Sequence, residues 1–200
     1  IKDLGNAYQA MGDSNTAKNF YQKAIAINGS YAPALTNLGI LEIKTFNNQE
    51  ALSLLIKATK ADPLLAPAWI NLANGYMQLG KTEEAEIPCR KAIDLKPNLF
   101  NAHFLLSNIL IGQNELKDAE QALRKAIDLK PDFYQAHLNL ATTLKDLNQL
   151  QESELLIRKT IELKPESAKA HFHLGNILRI LGKSIEAELE FRKAIEIKPN

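Results

Sequence analysis

The chain has 200 residues, 46% of them hydrophobic, with 24 basic and 23 acidic side chains for a net charge of +1. So even a balance supplies no extended positive field, which argues against nucleic acid as a partner. Cys89 is the only cysteine, so an internal disulfide is excluded and a reducing, cytoplasmic setting is the expectation; no apolar run approaches the roughly 18 residues of a spanning helix, so no membrane partner is expected.

Pro63, Pro97, Pro131, Pro165 and Pro199 recur at one strict spacing. A fixed period of about 34 residues marks a repeat array. Six units are expected, over 1–31, 32–65, 66–99, 100–133, 134–167 and 168–200, each a helical hairpin in one all-α solenoid. The first unit places Gly5 and Tyr8 on its first helix, turns at Gly12 and carries Ala17 and Tyr21 on its second. Gly29 stands where the later units have proline. In the second unit Phe46 occupies the turn position; an aromatic residue tolerates positive φ poorly, so a different turn is predicted there. Glu42 replaces the aromatic that Tyr8 and Tyr76 supply, as do Leu110, Leu144 and Leu178, and looser hairpin packing is expected at these places.

The third unit is the clearest. Trp69, Leu72, Ala73 and Tyr76 follow i, i+3, i+4, i+7 spacing, one face of a helix; Gly80 breaks it, and Ala85, Cys89 and Ala92 restart it. Pro88 falls inside this second helix and is expected to kink it or loosen a turn, at a cost of up to about 3 kcal/mol unless packing absorbs it. Units four to six turn at Asn114, Asn148 and Gly182, residues that accept positive φ. Small residues recur where the two helices meet: Gly5, Gly39, Ala73, Ser107, Ala141 and Gly175 on the first, and Ala17, Ala51, Ala85, Ala119, Ser153 and Ala187 on the second. Arg90/Asp94, Arg124/Asp128, Arg158/Glu162 and Arg192/Glu196 read as i, i+4 pairs on a solvated face, each contributing about 0.2–0.5 kcal/mol.

No catalytic pattern emerges. His103, His137 and His171 are equivalent residues of successive units; neighbouring helices lie about 8–10 Å apart, too far for these rings to share one zinc. They are expected to pack, and Cys89 to be a small buried hydrophobe. With no phosphate loop, nucleophile elbow or clustered carboxylates, neither catalysis, metal nor cofactor is expected.

Trp69, Leu72, Ala73, Tyr76, Gly80, Ala85, Ala92 and Pro97 make the third unit resemble a tetratricopeptide repeat (TPR), and the likeness covers the whole chain. The resemblance implies a right-handed superhelix whose concave groove, lined by first helices, binds an extended peptide or protein segment. The chain begins inside a unit and stops at a unit boundary, so a piece of a longer protein is expected. A second expectation follows: the non-catalytic, substrate-positioning arm of a larger glycosyltransferase, sulfotransferase or hydroxylase. A third is end-to-end self-association, since neither end shows a polar capping helix.

Opposite the packing stripe, asparagines recur: Asn37, Asn71 and Asn139 at one position, Asn6, Asn74, Asn108 and Asn176 at another. An amide offers both donor and acceptor, which suits it to peptide main chain. The arrangement resembles the asparagine ladder of the repeat domain of O-linked N-acetylglucosamine transferase, with Leu105 and His173 interrupting the first rung and Ile40 and Thr142 the second. Bonding between neighbouring helices is an equal alternative. Chaperone-binding TPR proteins hold a terminal carboxylate with a Lys, two Asn, a Lys and an Arg. Lys2, Asn6 and Asn37 match the opening, but Pro67 and Asn71 replace the final cations; in the last three units Asn108, Asn139 and Lys169 match, but Phe104 and His173 do not. A working clamp is not expected, because neutral histidine does not replace bidentate arginine. Lys145, Lys169 and Arg179, partly offset by Asp146, suggest a preference for acidic or polar segments there.

Overall fold

A computed structural model of the chain describes residues 1–199; Asn200, which closes the expected sixth unit, lies outside the described residues. Twelve α-helices are described: α1 Lys2–Ala10, α2 Ser14–Ile27, α3 Ala32–Lys44, α4 Asn48–Ala61, α5 Ala66–Gln78, α6 Thr82–Leu95, α7 Phe100–Gly112, α8 Leu116–Leu129, α9 Tyr134–Asp146, α10 Leu150–Leu163, α11 Ala168–Ile180 and α12 Ser184–Ile197. They form antiparallel hairpins in two compact groups, Ile1–Asn98 and Leu99 onward.

One turn chemistry closes the first helix of every hairpin. Gly12, Phe46, Gly80, Asn114, Asn148 and Gly182 all have positive φ, between 61° and 86°. The amide after each donates back to a carbonyl in the last turn of the helix, as Asp13 to Tyr8 at 2.9 Å and Gln149 to Leu144 at 2.8 Å. This is the Schellman arrangement, which satisfies the helix's last carbonyls. Phe46 therefore makes the same turn as its counterparts, with φ 61°, against the different geometry its side chain suggests. The bond from Asn47 to Glu42 at 2.9 Å holds it there. Its ring is 84% exposed and packs little, so Phe46→Gly is expected to raise unfolding free energy by about 0.5–1 kcal/mol in urea titration.

Close helix approach follows from the small residues. A Cβ built on Gly39 would stand 2.7 Å from Leu55 Cγ, and one on Gly5 would stand 2.6 Å from Tyr21 Cε1. Tyr21, Leu55, Leu123 and Ile157 are fully buried as a result. In the second group Leu123 and Ala126 of α8 receive Ala136 and Leu140 of α9, and Leu138 and Ile157 receive Ala170 and Leu174 of α11.

Helix α6 continues through Pro88, whose side chain is buried; Glu84, whose carbonyl would have taken the missing amide, is exposed. Two local expectations are corrected. The arginines turn the other way: Arg90 bonds Glu86 at 2.8 Å, Arg124 Glu120 at 2.8 Å, Arg158 Glu154 at 2.9 Å and Arg192 Glu188 at 2.5 Å. Helical side chains lean toward the N-terminus, so an arginine covers the turn before it. Arg124 also reaches Glu152 at 2.6 Å and Arg158 reaches Glu186 at 2.9 Å, tying successive second helices together. Glu42, in place of an aromatic, is 3% exposed and anchored rather than loose, accepting from Lys18 at 2.6 Å and Asn47 at 2.7 Å.

Burial pushes the Glu42 carboxyl up, but its bonds from Lys18 and Asn47 outweigh that and hold it below the usual carboxylate range. A depressed carboxyl contributes stability that is present above its unfolded pKa and lost as pH falls through the folded one. Urea unfolding at pH 7 and pH 3 is therefore expected to show lower stability in acid, and Glu42→Gln is expected to shrink the difference.

Candidate functional site

The asparagines lie on the first helices, and their pairing follows one fixed register between successive first helices. Asn37 Nδ2 donates to Asn6 Oδ1 at 2.7 Å, joining α3 to α1. Asn139 Nδ2 donates to Asn108 Oδ1 at 2.9 Å, joining α9 to α7. Each bond uses one donor of one amide and one acceptor of the other; Asn37, Asn108 and Asn139 keep further donor and acceptor capacity, whereas Asn6, whose oxygen also meets the Tyr21 hydroxyl, keeps its N–H donors. Asn71 lacks this arrangement because Ile40 holds the place its partner would need, and it donates to Pro67 O on its own helix at 2.7 Å. Asn176 likewise donates to Phe172 O at 3.1 Å. Asn74 is half-buried on α5, and the sequence puts Leu105 where its partner would fall.

Sequence reasoning placed Tyr21 on the second helix of the first unit and missed its polar end. The ring is fully buried, yet its hydroxyl lies 2.9 Å from Asn6 Oδ1 and 2.6 Å from Gln9 Oε1. The missing Cβ of Gly5 lets the ring cross between α2 and α1. Burial pushes the phenol pKa up and keeps the hydroxyl a donor. Tyr21 thus fixes the Asn6 amide from behind. A glycine at the crossing of the first helix, matched by a tyrosine on the second, is the signal that could have found it.

In the second group Asn108, Asn139, Thr142, Asp146 and His173 line an open cleft of about 310 Å³. Burial, then Lys145 and Lys169, hold His173 below the usual imidazole range, so it is neutral at pH 7. Lys145 is engaged by Asp146 at 2.9 Å; Lys169 and Arg179 are exposed on α11. The cleft thus combines neutral donors and acceptors with the Asp146 carboxylate, and Lys145 and Lys169 lie within electrostatic reach of its His173.

The equivalent rings are more than packing residues. Trp69 Nε1 donates to Pro63 O at 2.8 Å, and the Nε2 atoms of His137 and His171 lie 2.7 and 2.9 Å from Pro131 O and Pro165 O. A carbonyl only accepts, so these histidines carry hydrogen on Nε2. Each ring pins the loop before its helix. His171 Nδ1 also meets Glu190 Oε2 at 2.6 Å on α12. Burial pushes the Cys89 thiol up to about 12, so it is not a thiolate at neutral pH. Among the described residues no group of three or more His, Cys, Asp or Glu is placed to hold a metal ion, and no helix is long and apolar enough to cross a membrane.

Residues 2–199 match the family described as the cilia and flagella-associated protein 70 C-terminal domain, a TPR domain. The chain belongs to that family. Among solved structures it is similar to YrrB, described as a TPR protein with an unusual peptide-binding site. That likeness has 23% identity and a TM-score of 0.77, and covers 90% of this chain and 93% of YrrB. It is similar also to MamA, with 24% identity, a TM-score of 0.76, and 80% and 94% of the two chains covered. MamA from Desulfovibrio magneticus RS-1 gives 22%, 0.78, 84% and 94%. No curated protein sequence matches the chain. The molecule is a TPR array of helical hairpins, all-α among the described residues.

Proposed function

We propose that this TPR array is a non-catalytic module that holds an extended peptide or protein segment against its first helices by reading the main chain. The observation that carries this is the repeated amide pair, Asn6 with Asn37 and Asn108 with Asn139. Each amide is held by its partner, so less side-chain entropy is lost when it meets a ligand. Extended main chain presents alternating N–H and C=O groups, which match the donors and acceptors a pair retains. YrrB, a TPR protein of the same fold, is described as having a peptide-binding site, which supports the reading.

Around His173, a ring near Lys145 and Lys169, with Asp146 partly offsetting them, favours a polar or acidic stretch of the bound segment, with an affinity that falls as salt rises. The test uses a peptide selected on the protein from a random library. Its affinity is expected to fall in the Asn37→Ala/Asn139→Ala variant while helicity is retained; unchanged affinity in that variant overturns the assignment.

A further inference from the structure

Asparagine followed by glycine occurs at two places in this chain, Asn28–Gly29 and Asn74–Gly75, in opposite settings. Gly75 is buried inside α5 with its amide in the helix ladder, and a Cβ built on it would stand 2.9 Å from Leu52 Cδ2. Asn28 and Gly29 are exposed in the turn that follows α2. Apart from its chain neighbours, a Cβ built on Gly29 would meet nothing nearer than Ile25 O at 4.0 Å, so water and base reach this peptide bond. The later hairpins place Pro63, Pro97, Pro131 and Pro165 where Gly29 stands, and proline has no amide hydrogen to lose. Of these turns, the one after α2 alone carries at that place a main-chain nitrogen that can act as a nucleophile.

Asn28 caps the C-terminus of α2 with φ −139° and ψ 100°. Its Oδ1 accepts from Ser30 N–H at 3.0 Å, and its main-chain carbonyl accepts from Tyr31 N–H at 3.0 Å. Asp62 caps α4 in nearly the same conformation, φ −139° and ψ 93°, and its Oδ1 accepts from Leu64 N–H at 3.0 Å. An aspartate at position 28 therefore fits this turn as built. Bringing the Gly29 nitrogen onto the Asn28 side chain takes rotation about ψ. After α2 that rotation moves an exposed turn eased by glycine; at Asn74 it would break α5.

We propose that Asn28 is a site of spontaneous covalent modification. The Gly29 nitrogen, its proton lost to solvent base, attacks Asn28 Cγ. A C–N bond closes a succinimide ring, and Nδ2 takes up a proton and leaves as ammonia. Water then opens the ring at either carbonyl, giving aspartate or isoaspartate; nothing is oxidised or reduced. Aspartate keeps the bond to Ser30 N–H, as Asp62 does to Leu64. Isoaspartate routes the main chain through Cγ, so the carbonyl that accepts from Tyr31 N–H leaves the main chain as a carboxylate. The junction between the first two hairpins is then lengthened, at a place that the Asn37–Asn6 bond spans.

Incubation of the native chain at mildly alkaline pH, followed by tryptic digestion and mass spectrometry, tests it, with isotopically heavy water marking the new acid oxygen. The peptide of residues 24–44 is expected to become acidic at position 28 at least about tenfold faster than that of residues 61–81 does at position 74, because reaction at Asn74 waits for local opening of α5. In concentrated urea the two rates are expected to converge. Gly29→Pro installs the residue that the later hairpins carry, so it is expected to keep wild-type helicity by circular dichroism and to abolish conversion at position 28. The purified isoaspartate form is expected to unfold at lower urea than Asn28→Asp. An Asn28 that converts no faster than Asn74 in the native chain overturns the proposal, as does conversion that persists in Gly29→Pro. A rate difference that survives in urea overturns the role given to the fold.

Discussion

Gly39→Val is expected to destabilise the first group of hairpins by about 2–3 kcal/mol. The new Cβ would stand 2.7 Å from Leu55 Cγ and 3.0 Å from Leu55 Cδ2, and two further methyl groups would follow it. Leu55 is fully buried, so it cannot swing into solvent. Valine recovers about 0.5 kcal/mol of helix propensity relative to glycine, too little to offset the overlap. The strain therefore passes to the α3–α4 approach. Leu55→Ala alone is expected to cost about 2–5 kcal/mol by leaving a cavity. Combined, the two changes fill and empty the same space, so urea unfolding is expected to give a double-variant loss at least about 1 kcal/mol smaller than the sum. Strict additivity would show that α3 and α4 do not meet there.

Asn37→Ala with Asn139→Ala is expected to weaken a library-selected peptide about tenfold or more while leaving the fold intact. A hydrogen bond to a neutral partner contributes about 0.5–1.5 kcal/mol net, and each asparagine supplies the retained capacity of one pair. Stability is expected to change less, because Asn6 keeps the Tyr21 hydroxyl at 2.9 Å when Asn37 is removed. That separation of affinity from stability distinguishes ligand reading from bonding between helices. If both fall together, the amides serve only the hairpin contacts.

The hairpins were legible because their signals are local. A strict proline period, a stripe at i, i+3, i+4 and i+7, and small residues at the crossing each depend on neighbours in one helix pair. What escaped depends on partners elsewhere. Phe46 adopts positive φ because the Asn47 amide closes the turn onto Glu42, a bond that outweighs the residue's own preference. The arginines were assigned forward along their helices, whereas side-chain lean sends them back a turn and across to the next hairpin. Of the asparagines singled out, only those with a second asparagine in register on the adjoining first helix are seen to bond across hairpins. Asn71 turns onto its own helix because Ile40 occupies its partner's place. His137 and His171 were expected only to pack, and their hydrogen bonds escaped because the proline carbonyls they meet belong to the preceding loop.

Main-chain recognition makes one demand that side-chain recognition does not. Titration of a library-selected peptide against single N-methylated versions of itself, read by isothermal calorimetry, addresses it directly. N-methylation removes one main-chain donor and leaves every side chain in place. Loss of about tenfold in affinity at the bonds that face the amide pairs, with side-chain truncations at the same residues tolerated, is the result that amide-pair recognition requires. Equal affinity for every N-methylated peptide would contradict it.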